Sequence, residues 1–112
     1  MNIYKRPALP AQFSAVAGFE WDAGNSMKSG KHSVSDAEAE QVFVNEPLLV
    51  LEDDRHSAAE PRWKALGCTN QGRLLHVTVT VRAGGTRIRV ISARPMHRKE
   101  RKIYEEISQA NP

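Results

Sequence analysis

Histidine, lysine and arginine side chains are the groups in this chain whose types and positions could support chemistry. His32 follows Lys31 directly, and Arg94 stands immediately before Pro95. An imidazole can take up or release a proton near neutral pH, and a guanidinium fork matches the oxygens of a phosphate. Such groups are typical of general acid–base chemistry at a phosphate, where cations stabilise the charge that develops.

The spacing of the possible metal ligands does not favour a metal site. The histidines stand at positions 32, 56, 76 and 97, without the paired spacing that metal ligands usually show. Only Asp53 and Asp54 with His56 form a tight cluster, and acidic turns of this kind are common. The chain also has no glycine-rich phosphate loop and no nucleophile elbow. We therefore predict chemistry without a metal or a cofactor.

Charge is distributed very unevenly along the chain. Residues 20–60 carry ten acidic and three basic side chains, whereas residues 61–112 carry eleven basic and three acidic ones. A strongly basic half attracts polyanions and steers them to the surface. This distribution favours a nucleic acid or an acidic protein partner, and a merely hydrated polar surface is the alternative.

The length of 112 residues is enough for one domain with a modest core. No apolar run approaches the roughly 18–20 residues of a membrane span, and no apolar stretch of a secretory signal follows the basic start. The single cysteine, Cys68, is compatible with a reducing compartment. These features predict a cytoplasmic protein without membrane contact.

The elements that must position the candidate groups follow from local patterns. Residues 1–18 contain two prolines and little periodicity, so we predict an irregular arm, followed by a single domain over residues 19–112. Residues 19–22 alternate as a short strand does, and a weak helix is predicted through Lys28 and Lys31. Ser35 with Glu38 forms a capping box, which predicts a helix that Pro47 closes.

The middle of the chain changes to the period of a strand. Residues 48–52 and 62–68 read as strands, and residues 73–82 alternate most clearly. A Gly84-Gly85 turn then connects to a returning strand over residues 86–92, which predicts an antiparallel hairpin.

Pro95 is predicted to start a basic C-terminal helix that extends through residue 108. Helical spacing places Met96, Ile103 and Ile107 on one side, and most of the basic residues on other sides. Taken together, the elements predict an α+β domain, a compact antiparallel β-sheet flanked by helices.

The residues between positions 19 and 106 resemble the BrnT toxin family. The resemblance is carried by short segments whose order and spacing make chance agreement improbable. These segments are Phe19-Glu20-Trp21-Asp22, Gly24-Asn25, Lys28, Lys31-His32, Val34-Ser35, Asp54-Arg55-His56-Ser57, Trp63-Lys64-Ala65-Leu66-Gly67, Ile91-Ser92-Ala93-Arg94, Met96-His97-Arg98-Lys99-Glu100 and Tyr104-Glu105.

The resemblance implies a RelE-like fold and a toxin of a bacterial type II toxin–antitoxin system. It implies an endoribonuclease that cleaves mRNA, inhibits translation and is neutralised by a BrnA-like antitoxin with a ribbon-helix-helix part. Because ribbon-helix-helix proteins dimerise, we predict a heterotetramer of two toxins on an antitoxin dimer. Operator DNA is then bound only through the antitoxin.

With this resemblance, the candidate residues take definite roles. The expected catalytic residues are His32, Lys31, Arg89 and Arg94. The expected RNA-binding residues are Lys28, His97, Arg98 and Tyr104. For Arg94 the alternative is an ion pair with Glu100, and for Tyr104 it is a place in the core.

The chain departs from the family pattern at two positions near these residues. Ser33 stands where the family favours glycine, so the loop after His32 is expected to have another backbone shape. Pro95 stands where close relatives often carry an aromatic residue. Two other functions therefore stay open, a non-catalytic nucleic-acid-binding module and a homologue that only sequesters its antitoxin.

Overall fold

A six-stranded sheet organises the fold, in a computed structural model that describes residues 2–4, 10–26, 32–53 and 60–110. The strands are β1 (Asn2–Tyr4), β2 (Gly18–Glu20), β3 (Leu48–Glu52), β4 (Arg62–Cys68), β5 (Leu74–Arg82) and β6 (Arg87–Pro95). The helices are α1 (Asp36–Val42) and α2 (Arg98–Ala110), with a short 3-10 helix at Ala11–Phe13. The strands lie in the order β1-β3-β4-β5-β6-β2, and the predicted α+β class is confirmed.

The β5–β6 hairpin, which the alternation of residues 73–92 predicts, lies between β4 and β2 in the sheet. Its turn places Ala83, Gly84 and Gly85 at positive φ, a conformation that favours glycine. The register shifts by one residue beyond Thr78, because Thr78 pairs with Ser92 but Val79 pairs with Val90. This β-bulge allows Arg89 and Arg94 to share one face of β6 although they are five positions apart.

One strand pairing differs from the predicted antiparallel sheet. β2 runs parallel to β6, with Phe19 opposite Ile88 and Glu20 opposite Arg89, whereas the other four pairings are antiparallel. A parallel pairing joins segments that are distant in sequence and requires a long connection. Local alternation over residues 19–22 predicts the strand but contains no information on its partner.

Helix α1 begins where the sequence predicts. The Ser35 hydroxyl accepts a hydrogen bond from the Glu38 backbone N–H, and the Glu38 side chain accepts one from the Ser35 N–H. The helix packs closely on β4, because a Cβ added at Gly67 would lie 2.8 Å from Cγ1 of Val42. Glycine at position 67 therefore sets the distance between α1 and the sheet.

The start of α2 corrects the expectation that Pro95 begins the helix. Pro95 is the last residue of β6 and lies opposite Leu75, and the Met96 N–H still donates to Leu74. The helix begins only after His97, whose backbone N–H donates to the Glu100 carboxylate at 2.8 Å. Because Glu100 caps the helix from its third position, the helix starts three residues later than the proline suggests. Neither described helix is long and apolar enough to cross a membrane.

The described residues 2–4 and 10–18 contribute to the domain, where the sequence predicts an irregular arm. β1 pairs with β3, and Phe13 is 2% exposed with its ring edge against Trp63, at a centroid distance of 5.5 Å. Two clusters of buried side chains result, one on each face of the sheet. The larger cluster lies under α1, and the smaller one, with Leu49, Leu66 and Tyr104, lies under α2.

Candidate nucleic-acid interface

The face of the sheet that carries α2 also carries most of the candidate polar groups. Alternation and register place Lys64, His76, Thr78, Arg89 and Arg94 on this face, which we call the α2 face. Arg94 lies directly opposite His76, and Arg89 lies opposite Thr80. About 15 Å of strand separates the two arginines along β6, so they occupy two different parts of the face.

Arg94 forms the ion pair that the sequence offers as an alternative. Its two terminal nitrogens donate to the two Glu100 oxygens at 2.8 and 2.9 Å. Burial alone would raise the pKa of Glu100, but the hydrogen bonds from Arg94 and from the His97 N–H hold it at about 2. The carboxylate therefore stays ionised and fixes the guanidinium beside the start of α2, where a quarter of the Arg94 side chain is exposed.

Basic side chains are concentrated at the start of α2. Arg98, Lys99, Arg101 and Lys102 occupy four of the first five helical positions, and all four are exposed. Cations are unfavourable at a helix N-terminus, because the helix dipole is positive there. Among the described residues, no carboxylate pairs with Arg98, Lys99 or Lys102. This cluster, together with Arg94, makes a cationic surface that suits a polyanion.

Arg89 is held by two carboxylates of the β2 region. One terminal nitrogen donates to Glu20 at 2.8 Å and to Asp22 at 2.9 Å, and the other donates to Asp22 at 3.1 Å. The hydrogen bond from Arg89 lowers the pKa of Asp22. Glu20 and Asp22 stand on either side of Trp21, at the end of β2. Both carboxylates therefore bind Arg89.

Asn25 is the buried polar residue next to the Arg89 ion pairs. Its side-chain amide donates to the carbonyl oxygens of Glu20 and Val90, at 2.9 and 3.0 Å. Its side-chain oxygen accepts the Asp22 N–H at 2.8 Å. Asn25 is therefore a buried link between the end of β2 and β6.

His32 lies in a turn before α1, and its side chain is exposed. The next residue, Ser33, has a φ of 58°, the left-handed conformation that glycine favours. A glycine at this position could adopt the same φ without the steric cost that the Cβ of Ser33 causes. The Ser33 carbonyl accepts a hydrogen bond from Arg73, which also pairs with Glu38 at 3.0 Å.

The candidate residues do not form one cluster in this structure. Among the described residues, no hydrogen bond or ion pair joins His32 to Arg89 or Arg94. Lys28 and Lys31, together with the segment 54–57, lie outside the described residues. His97 and Arg98 are exposed at the start of α2, next to Arg94.

Tyr104 fits the alternative of a core residue. The residue is 5% exposed, and its hydroxyl donates to the Pro47 carbonyl at 2.6 Å. Burial raises the pKa of this hydroxyl above its usual value. Tyr104 thus connects α2 to the segment before β3 through this hydrogen bond.

The sequence reasoning did not select His76, which is the buried histidine of the α2 face. It is 7% exposed, and its Nε2 lies 3.9 Å from an oxygen of Glu100. Its Nδ1 is buried without a hydrogen-bond partner. The sequence feature that indicates His76 is its position in β5, where it is a polar residue next to Leu74, Leu75 and Val77.

The burial of His76 predicts a pH dependence of stability. Burial lowers the pKa of His76, and the charge of Arg94 acts in the same direction. Below the ordinary value of about 6.5, the unfolded chain takes up a proton more readily, so the free energy of unfolding decreases as the pH falls. The slope can reach about 1.4 kcal/mol per pH unit. Glu100, with a pKa of about 2, stays ionised between pH 7 and 5.

Urea unfolding of the wild type and of His76→Leu between pH 7 and 5 measures this effect. In the variant, the free energy of unfolding is expected to lose the part of its pH dependence that His76 causes. The same slope in both proteins would show that His76 is not the group responsible.

These observations define a small α+β protein with a cationic surface suited to a polyanion. The chain belongs to the BrnT family, because the family model for the ribonuclease toxin BrnT of type II toxin–antitoxin systems matches residues 21–100. It is thus a toxin of such a system, with RNA as its substrate and an antitoxin as its partner. None of the curated proteins compared with the chain matches it.

Proposed function

We propose that the protein is a metal-independent endoribonuclease that cleaves mRNA in the cytoplasm and thereby inhibits translation. Its membership of the family of BrnT ribonuclease toxins carries the proposal. The cationic surface at the start of α2 supports it, since this surface offers RNA phosphates a site beside Arg94.

In the proposed reaction the 2′-oxygen of a ribose attacks the neighbouring phosphorus. A general base removes the 2′-proton as the new P–O bond forms, and an acid protonates the 5′-oxygen as the old bond breaks. The products are a 2′,3′-cyclic phosphate and a 5′-hydroxyl. Cations stabilise the additional negative charge of the transition state.

The residues take the following roles in this proposal. His32 transfers a proton or orients the phosphate, and Lys28 and Lys31 add phosphate contacts in the same part of the chain. Because His32 is exposed and bonded to neither arginine, RNA binding has to bring the two parts of the site together.

The basic groups around α2 act on the phosphates. Arg94 stabilises the transition state, because Glu100 already holds its guanidinium in place. His97 and Arg98 contact the RNA backbone. Arg89 supports the sheet through Glu20 and Asp22, since only 16% of its side chain is exposed.

Cleavage of an end-labelled RNA by the purified protein in EDTA tests this proposal. The wild type is expected to cleave, and His32→Ala is expected to lose about 100-fold or more of the rate. Gln109→Ala, at the far end of α2, is the matched control and should cleave as the wild type does. RNA that is bound but never cut would favour a non-catalytic binding module.

For the partner, we propose a BrnA-like antitoxin with a ribbon-helix-helix part that also binds operator DNA. Two toxins then bind to one antitoxin dimer, as a heterotetramer. A native mass measurement of the co-purified complex tests the stoichiometry, and a complex of one toxin with one antitoxin would contradict it. An antitoxin that binds tightly to a toxin without cleavage activity would favour the sequestering homologue.

A further inference from the structure

A groove of about 160 Å³ lies between the sheet and α2. Its walls are apolar and come from β3, β4 and α2, with the side chains of Leu49, Leu51, Leu66 and Ile103. Its polar lining consists of Lys64, His76 and Glu100. Ligand sites typically have this combination of apolar walls and a few polar groups that define the orientation.

His76 is the buried polar residue of the groove. Its ring is more than nine-tenths buried, and Nδ1 has no hydrogen-bond partner, which is rare in folded proteins. Its Nε2 lies 3.9 Å from Oε2 of Glu100, beyond hydrogen-bonding distance. His76 and Glu100 therefore place Nε2 and Oε2 side by side. Both atoms are able to form a hydrogen bond with the polar edge of a ligand.

We propose that this groove holds one nucleobase of the RNA substrate, with guanine preferred. The proposal rests on the ribonuclease function proposed above. A base has two apolar faces for the leucine and isoleucine walls and a polar edge for the opposite end. Guanine offers a ring N–H to Glu100 and carbonyl and N7 acceptors to His76 and Lys64.

The position of the groove fits the phosphate site. His76 and Arg94 are direct cross-strand partners, with Cα atoms about 5.5 Å apart or less. Glu100 joins both, because it binds Arg94 and faces His76. A base in the groove thus places its own or a neighbouring phosphate beside Arg94 and the basic start of α2. An apolar antitoxin side chain is the competing occupant, but it leaves the polar groups of His76 and Lys64 without partners.

Mapping every cut in a mixed-sequence RNA at single-nucleotide resolution tests the proposal. The wild type is expected to prefer guanine by about tenfold or more at one position relative to the cut. Leu51→Trp fills the groove, and among the cuts that this variant makes the preference for guanine is expected to fall to about twofold or less. Val44→Trp, at an exposed residue outside the groove, is the matched control and should keep the preference. A folded Leu51→Trp protein with unchanged preference would overturn the proposal.

Two additional measurements keep the proposal testable if the first variant does not fold. Ile103→Trp closes the groove at an exposed position and is expected to have the same effect as Leu51→Trp. In the wild type, the ring C–H resonances of His76 are expected to shift on titration with GMP, and much less with AMP, CMP or UMP. RNA cleavage without any shift of His76 would overturn the groove proposal.

The GMP titration also distinguishes a failure of the base-site proposal from a failure of the proposed ribonuclease function. A protein whose His76 responds to GMP but which cuts no RNA would contradict the ribonuclease proposal and support the base site. If Leu51→Trp weakens antitoxin binding but leaves the cleavage pattern unchanged, the groove belongs to the antitoxin and the base proposal is overturned.

Discussion

Replacing Arg94 by alanine is expected to slow RNA cleavage by about 100- to 1000-fold, the effect of removing one preorganised transition-state donor. Two hydrogen bonds to Glu100 hold the guanidinium in one orientation, so its charge is in place before the RNA arrives. Single-turnover cleavage of a labelled RNA at saturating protein measures the rate of the chemical step.

Two further variants separate chemistry from folding and from charge. Arg94→Lys retains the charge but not the bidentate fork, so we expect a rate between those of wild type and Arg94→Ala. Arg87→Ala removes a cation at the opposite, exposed end of β6 and should change the rate by less than about threefold. Wild-type cleavage by a folded Arg94→Ala protein would exclude Arg94 from the reaction.

Replacing Phe13 by alanine is expected to lower the free energy of unfolding by about 3–5 kcal/mol. The ring is 2% exposed and packs edge-on against Trp63, so its removal leaves a cavity under the sheet. A domain of this size has a total stability of about 5–15 kcal/mol, so a loss of this size is a large fraction of the total. Urea unfolding monitored by tryptophan fluorescence gives the difference.

Gln12→Ala is the matched control for Phe13, because Gln12 is the exposed neighbour in the same 3-10 helix. Its effect is expected to stay within about 0.5 kcal/mol. Equal stability of Phe13→Ala and wild type would mean that residues 10–18 do not contribute to the core.

Local patterns predicted the elements that local interactions stabilise. The capping box at Ser35 and Glu38 marks the start of α1, and the alternation of residues 73–92 marks the hairpin. Pro95 misled the prediction of α2, because a proline suits the end of a strand as well as the start of a helix. The start of α2 is fixed by the Glu100 carboxylate, which accepts a hydrogen bond from the His97 N–H.

The candidate site was predictable in its residue types but not in its pairings. Sequence indicated Arg94 and offered Glu100 as its partner, and the structure confirms that ion pair. It did not connect Arg89 with Asp22, which are 67 positions apart. It also did not select His76, because a histidine in an apolar strand carries no motif.

The amino-acid sequence by itself determined the α+β class, the hairpin, the capped helix, the basic second half and the family. Each of these depends on residue type, on short spacing or on similarity along the chain. Only the tertiary structure decided that β2 runs parallel to β6, that Phe13 is in the core and that His76 faces Glu100 beside a groove. These features depend on contacts between distant segments, and such contacts form only where the free energy of packing the whole domain favours them.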